Sequence, residues 1–204
     1  KSDHIEESQH GIWIMLGTLA RVGELTKAQW PHLDLDKGTW IVPAENSKNG
    51  IEHLINLSDF VREHFQLLLK KAKAAAKKEK RKIPAYVFPA RHHQGHVCVK
   101  TLSKQISDRQ RGPNEPMSRR SPHTTALLLP GGKWTPHDLR RTGATIMGNL
   151  GVRPDVIEKC LNHVEQNRMK RIYQRQELRN EMEAAWTALG GHLNILTVQS
   201  APES

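Results

Sequence analysis

The chain has 204 residues, and its 31 lysines and arginines outnumber 21 aspartates and glutamates for a formal net charge of +10. That length makes one ordinary domain, or a domain with a tail, and it suffices to bury a proper core. Hydrophobic residues at 37% and charged ones at 25% exclude a disordered chain, and no apolar run reaches the ~18 residues of a membrane span. Two cysteines, Cys98 and Cys160, cannot frame a secreted disulfide scaffold and suit a reducing cytoplasm. The charge excess favours a polyanionic partner, most often nucleic acid. The chain opens with Lys1 and shows no signal peptide, so it is expected to be a piece of a longer protein.

From Ser8 to Leu19 the spacing of Ile12, Leu16 and Leu19, with Met15 beside them, predicts a helix that breaks where Gly23 interrupts Ala20-Arg21-Val22-Gly23-Glu24-Leu25. A β region follows. His32 to Asp36 and Thr39 to Pro43 flank the turn signal Asp36-Lys37-Gly38 and read as a hairpin; Asn49-Gly50 is a second turn before a third strand, Ile51 to Leu57. Lys48 thereby falls on an exposed hairpin tip. Ser58 caps a helix with the stripe Val61, Phe65, Leu68, Leu69, Ala72 and Ala76, which runs into Lys70 to Lys82 and stops at Pro84. Tyr86-Val87-Phe88 is extended, Thr101 to Arg111 helical, and 112–133 a loop. Thr135-Pro136-His137-Asp138 supplies an N-cap, a proline at the first helical position and a capping-box acid, for a helix that stops at Gly151. A short helix runs from near Pro154 to Asn162-His163. A last one spans roughly Gln166 to Leu189, ends at Gly190-Gly191 and leaves a polar tail. The fold class is α+β, mainly helical, with a small three-stranded antiparallel sheet.

Six side chains in this layout suit phosphate chemistry. Arg21 follows a helix at a glycine break, and Lys48 sits on a hairpin tip. His137 and Arg140 share one face of a capped first turn. His163 ends a helix, and Tyr173 lies among cations in Arg171-Ile172-Tyr173-Gln174-Arg175. The order Arg, Lys, His-x-x-Arg, His, Tyr resembles the catalytic domain of tyrosine recombinases, the phage-integrase family. Ala20 to Leu25 is similar to its first arginine box, His137-Asp138-Leu139-Arg140-Arg141-Thr142 to its second, and Leu161-Asn162-His163 to its third. The boxes and the ending Tyr-Gln-Arg most resemble integrases of genomic islands and satellite prophages, over about residues 8 to 190.

The resemblance implies metal-free and cofactor-free cleavage and rejoining of DNA through a 3′-phosphotyrosyl bond, to integrate or excise a mobile element. In that scheme Tyr173 is the nucleophile, and Arg21 and Arg140 hold the charge of the transition state with His163. Lys48 is the general acid, His137 assists at the phosphate, and Glu24 buttresses Arg21 or His137. Lys37 also sits at a turn and rivals Lys48; Arg141 rivals Arg140 but lies about 100° round the helix. The expected domain is 1–190, with 191–204 a C-terminal tail and upstream DNA-binding domains outside this chain. The expected partners are double-stranded DNA attachment sites, with a homotetramer on synapsed DNA for the whole protein, a monomer for the fragment, and room for an accessory directionality factor. The expected location is the bacterial cytoplasm, with no membrane contact.

Eight basic residues face one acid between Lys70 and Lys82. Such a run reads first as a solvated face; the alternative is phosphate tracking, with Lys70, Lys71, Lys77, Lys78, Arg81, Arg141, Arg171 and Arg175 as DNA-binding candidates. His92-His93-Gln94-Gly95-His96-Val97-Cys98 fits no common zinc spacing and is read as a solvated or DNA-facing loop. Two rivals share the fold: a topoisomerase-like nicking and resealing enzyme, and a DNA-binding module without catalysis. The stripe Leu178, Met182, Ala185, Trp186 and Leu189 packs either in cis or on a neighbouring subunit.

Overall fold

The computed structural model describes residues 6–92, 94–112, 115, 124–163 and 178–199. Seven α-helices occur among them: α1 Glu6–Thr18, α2 Val22–Thr26, α3 Asp59–Lys78, α4 Val99–Asp108, α5 Pro136–Asn149, α6 Pro154–Cys160 and α7 Arg179–Gln199. Three short strands, β1 Leu33–Asp34, β2 Thr39–Val42 and β3 His53–Asn56, form an antiparallel sheet in the order β1-β2-β3.

α1 is the hub, packed against α3, α5 and α7. Of the expected stripe, Met15, Leu16 and Leu19 are buried and Ile12 half-buried against the core, and Ile14 joins them inside. The helix stops because Leu19 takes a left-handed φ of 60°, where a left-handed branched residue is costly, and total burial of its side chain holds it there. Thr18 closes the end: its hydroxyl donates to the Ile14 carbonyl at 2.6 Å and accepts from the Ala20 amide at 3.2 Å. Gly23 does not break structure but lies inside α2.

The hairpin register pairs Leu33 with Trp40 and Asp34 with Thr39; β3 adds Trp40–Ile55 and Val42–His53. Period-two alternation sends Trp40, Val42, His53 and Ile55 to the core and leaves Ile41 and Leu54 outside. Trp40 meets Phe65 of α3 edge-on at 5.8 Å. Ser58 caps α3 by accepting from Val61, as its sequence position suggests. The helix ends six residues before Pro84, because Lys80 adopts a left-handed φ of 50° and the Arg81 amide returns to the Ala76 carbonyl at 3.0 Å.

α5 carries the expected capping box: Asp138 accepts from the Thr135 amide (2.9 Å) and hydroxyl (2.8 Å), and Gly151 at φ 84° closes the far end. The glycine pair of α7 is no stop. The helix runs through Gly190-Gly191 to Gln199, and a Cβ on Gly190 would stand 2.1 Å from Ser58 Oγ. Gly190 is therefore a point of close approach between α7 and the start of α3, and the last helix continues where a polar tail was expected. No helix among the described residues is long and apolar enough to cross a membrane.

Candidate active site

Three separated segments converge through one arginine. Arg140 projects from the first turns of α5 and is 4% exposed; its guanidinium donates through Nη1 to the Leu19 carbonyl and through Nη2 to the Leu161 carbonyl. The planar guanidinium fork, with its fixed donors, serves two acceptors on different chain segments at once. Leu19 is two residues from Arg21, and Leu161 two from His163. The first, second and third boxes are thus joined at a single side chain.

Arg21 stands at the start of α2, held by Glu24. The Glu24 carboxylate accepts from the Arg21 backbone amide and from its Nη1, both at 2.8 Å, while the carboxylate is 3% exposed and the arginine side chain 22%. The helix start needs an acceptor three residues along, and the same acid fixes the cation that precedes it. Of the two partners expected for Glu24, the geometry supplies Arg21.

Burial lowers the Arg140 pKa to about 10, and the neighbouring charge of Arg21 pushes it the same way; Glu24 and Glu158 oppose. The group stays charged at neutral pH. Arg140 is thus a buried cation with a second guanidinium, that of Arg21, as its charged neighbour.

His137 is exposed on the first turn of α5. His163 follows α6, also exposed, and its Nδ1–H donates to Glu158 Oε2 at 2.7 Å, which turns the other ring nitrogen away from that carboxylate. Lys48 is exposed in the turn Ser47–Gly50 between β2 and β3, closed by the Gly50 amide on the Ser47 carbonyl at 3.3 Å with Gly50 at φ 69°. Lys37, its rival, lies in the other turn and pairs with Asp34 at 3.3 Å. Arg141 points away from Arg140's seat, exposed and 3.7 Å from Asp138. Tyr173, Arg171 and Arg175 lie outside the described residues.

Two residues near this cluster carry no signal in a one-dimensional reading. His53, on the core face of β3, donates from Nε2 to the Cys160 carbonyl at 3.1 Å and lies 6.0 Å from the Trp186 ring. Burial lowers its pKa, with Arg140 and Arg21 acting in the same sense against Glu24 and the Cys160 carbonyl. It is a neutral spacer between β3 and the end of α6. Asn162 bonds to the Lys48 turn from the third box. A histidine in an alternating strand marks only a half-buried position, and the asparagine's partners are 111 to 115 residues away.

The model of the phage integrase family matches residues 6–179. The chain belongs to that family. This integrase-family domain is 27% identical over 182 residues to the prophage integrase IntA of Escherichia coli K12, an alignment covering 87% of this chain and 37% of IntA. It therefore spans little more than a third of that curated relative. Its fold is that of solved tyrosine recombinases: the XerA recombinase matches with TM-score 0.59 at 17% identity over 98% of this chain and 58% of that one. The integrase of mycobacterium phage Brujita matches with TM-score 0.57 at 17% identity, over 89% and 52%. The Tn1549 transposon integrase, solved in complex with transposon right end DNA, matches with TM-score 0.50 at 19% identity, over 86% and 57%.

Among the DNA-binding candidates of this integrase-family domain, Lys71 is held by Glu6 at 2.6 Å and Glu7 at 3.0 Å, tying α3 to α1, and Arg81 pairs with Glu79 at 2.6 Å. Lys70, Lys77 and Lys78 are exposed. In the histidine-rich loop His92 is exposed, and His96 donates from Nδ1 to its neighbour's carbonyl at 2.8 Å beside Tyr86.

Proposed function

We propose that this chain is the catalytic domain of a site-specific DNA recombinase that integrates or excises a mobile element through a covalent 3′-phosphotyrosyl intermediate. The observation that carries the reading is Arg140, buried between the Leu19 and Leu161 carbonyls with Arg21 as its charged neighbour. The scissile phosphate is held by these two guanidinium groups. The transition state places more charge on the non-bridging oxygens than the ground state does, so the arginines gain there, with the exposed His163 and His137 as further donors.

In the first step the Tyr173 oxygen forms a bond to phosphorus while the bond from phosphorus to the 5′-oxygen breaks. The phenol reacts as the phenolate, its proton having passed to solvent, and the leaving oxygen takes a proton from the Lys48 ammonium. The phosphotyrosyl ester conserves the energy of the broken bond. Attack by a 5′-hydroxyl reverses the exchange: it yields its proton to Lys48 and releases the phenolate. Double-stranded attachment sites are the substrate, four protomers the working assembly, and upstream DNA-binding domains of the whole protein the source of most affinity.

A nicked suicide duplex carrying the attachment site, incubated with the full-length protein in chelator, tests this. A covalent protein–DNA adduct is expected, and Tyr173→Phe must abolish it; an adduct in that variant, or none with the parent, refutes the reading. Exchange between two supplied sites, rather than relaxation of supercoils alone, separates a recombinase from a nicking and resealing enzyme.

A further inference from the structure

We propose that Asn162 is a positioning residue that sets the general acid, by clamping the turn that carries Lys48 onto the segment that seats Arg140. The inference rests on Lys48 acting as the proton donor and adds the residue that places it.

Asn162 sits at φ 48°, a left-handed conformation that asparagine tolerates better than most side chains. That backbone reversal ends α6 and turns the residue's side chain and carbonyl toward the β2–β3 turn. The Asn162 amide nitrogen donates to Ser47 Oγ at 3.1 Å, with longer contacts to Asn49 Oδ1 and the Ile51 carbonyl, both 3.4 Å. In return Asn49 Nδ2 donates to the Asn162 carbonyl at 2.8 Å. Asn49 also gathers its own turn: its Oδ1 accepts from Ser47 Oγ at 2.7 Å and from the Ile51 amide at 3.1 Å.

The partners are Ser47, Asn49 and Ile51, on both sides of Lys48, while Lys48 itself stays exposed. Its backbone is gripped and its ammonium is left to reach. The residue before Asn162 is Leu161, whose carbonyl accepts from Arg140, and the residue after it is His163. Three consecutive residues therefore relate the phosphate-holding arginine, the acid-bearing turn and a phosphate donor. A proton donor works only within hydrogen-bond reach of the atom it protonates, and a displacement of about 1 Å costs up to 10²-fold in rate.

Asn162→Gly isolates the side chain, because glycine adopts the left-handed backbone without a steric cost and keeps the carbonyl. The full-length protein is assayed for adduct formation on two suicide duplexes, one with the natural 5′-oxygen at the scissile bond and one with 5′-sulfur, which departs as a thiolate without acid help. Asn162→Gly is expected to lose about 10- to 100-fold on the oxygen duplex and to come within about threefold of the parent on sulfur. Asn49→Ala, which removes the complementary bond from the turn to the Asn162 carbonyl, is expected to show the same pattern, as is Lys48→Ala. Parental activity of Asn162→Gly on oxygen, or equal loss on both duplexes while Lys48→Ala is restored by sulfur, overturns the positioning role and leaves the proton donor standing. Failure of sulfur to restore Lys48→Ala overturns the general acid instead, and the positioning role with it.

Discussion

Replacing Gly143 with alanine should pull the second box away from the first. A Cβ built there would lie 2.4 Å from Leu19 Cδ2 and 2.6 Å from the Leu16 carbonyl oxygen, where non-bonded carbons normally keep about 3.5–4.0 Å. Neither neighbour can yield easily. The Leu19 side chain is completely buried and its carbonyl is held by Arg140, while the Leu16 oxygen is backbone of α1. α5 must therefore retreat by about 1 Å. Overpacking of this kind costs about 1–3 kcal/mol and more where backbone is the obstacle, while alanine returns about 1 kcal/mol of helix propensity. A net loss of about 1–3 kcal/mol corresponds to a melting point lower by roughly 3–10 °C for a domain of this size. Arg140 lies one turn away on the same helix, so adduct formation should fall about 10- to 100-fold at temperatures where the fold persists. Gly148→Ala is the control: in the same helix its Cβ meets only Ile157 Cδ1 at 3.9 Å, and it should gain about 0.5–1 kcal/mol. Urea and thermal unfolding of the two variants decide the matter, and a Gly143→Ala protein as stable as the parent refutes the close approach.

Three further outcomes follow from other contacts. Glu24→Gln removes the buried charge that holds Arg21 and eases Arg140, and should cost about 1–2 kcal/mol in urea unfolding; unchanged stability would deny that the ion pair matters. His64 is pushed down to about 4 by burial and by neighbouring His10, against 6.5 when exposed. It is neutral in the fold and takes up a proton in the unfolded chain, so its contribution is full above pH 6.5 and is lost as pH falls toward 4. After allowance for solvent screening that loss is about 2 kcal/mol, and His64→Phe should show a correspondingly flatter stability profile between pH 7 and pH 4.5. Lys77→Ser with Lys78→Ser should lower the slope of log affinity for DNA against log salt by about one per residue if the run tracks phosphates; an unchanged slope makes it a solvated face. Lys71→Ser, which breaks the pairs with Glu6 and Glu7, should leave that slope alone.

Features decided within a few residues were readable from the chain. Ser58, the Thr135–Asp138 box and Gly151 announce their helix ends because a cap acts on backbone groups three or four positions away. Features decided by distant packing were not. Gly190-Gly191 looks like a stop, yet Gly190 is small because Ser58 of another helix fills the space a Cβ would need. Three helices surround α1, so burial extends beyond its apolar stripe to Gly11, Gly17 and Thr18. At the site, the order of boxes names Arg21, Arg140 and Glu24, but that one guanidinium seats two boxes, or that Asn162 reaches the Lys48 turn, depends on contacts across 21 to 121 residues.

The seating of Arg140 also orders events in time. Its two acceptors flank it in sequence, one far upstream and one downstream, and α7, which supplies the Trp186 indole to the Thr18 carbonyl at 3.2 Å, comes later still. A chain emerging from the ribosome can place this arginine on only one carbonyl until Leu161 has been made, and α1 lacks its last packing partner until α7 is out. The buried guanidinium is thus fully seated only after the third box has been made.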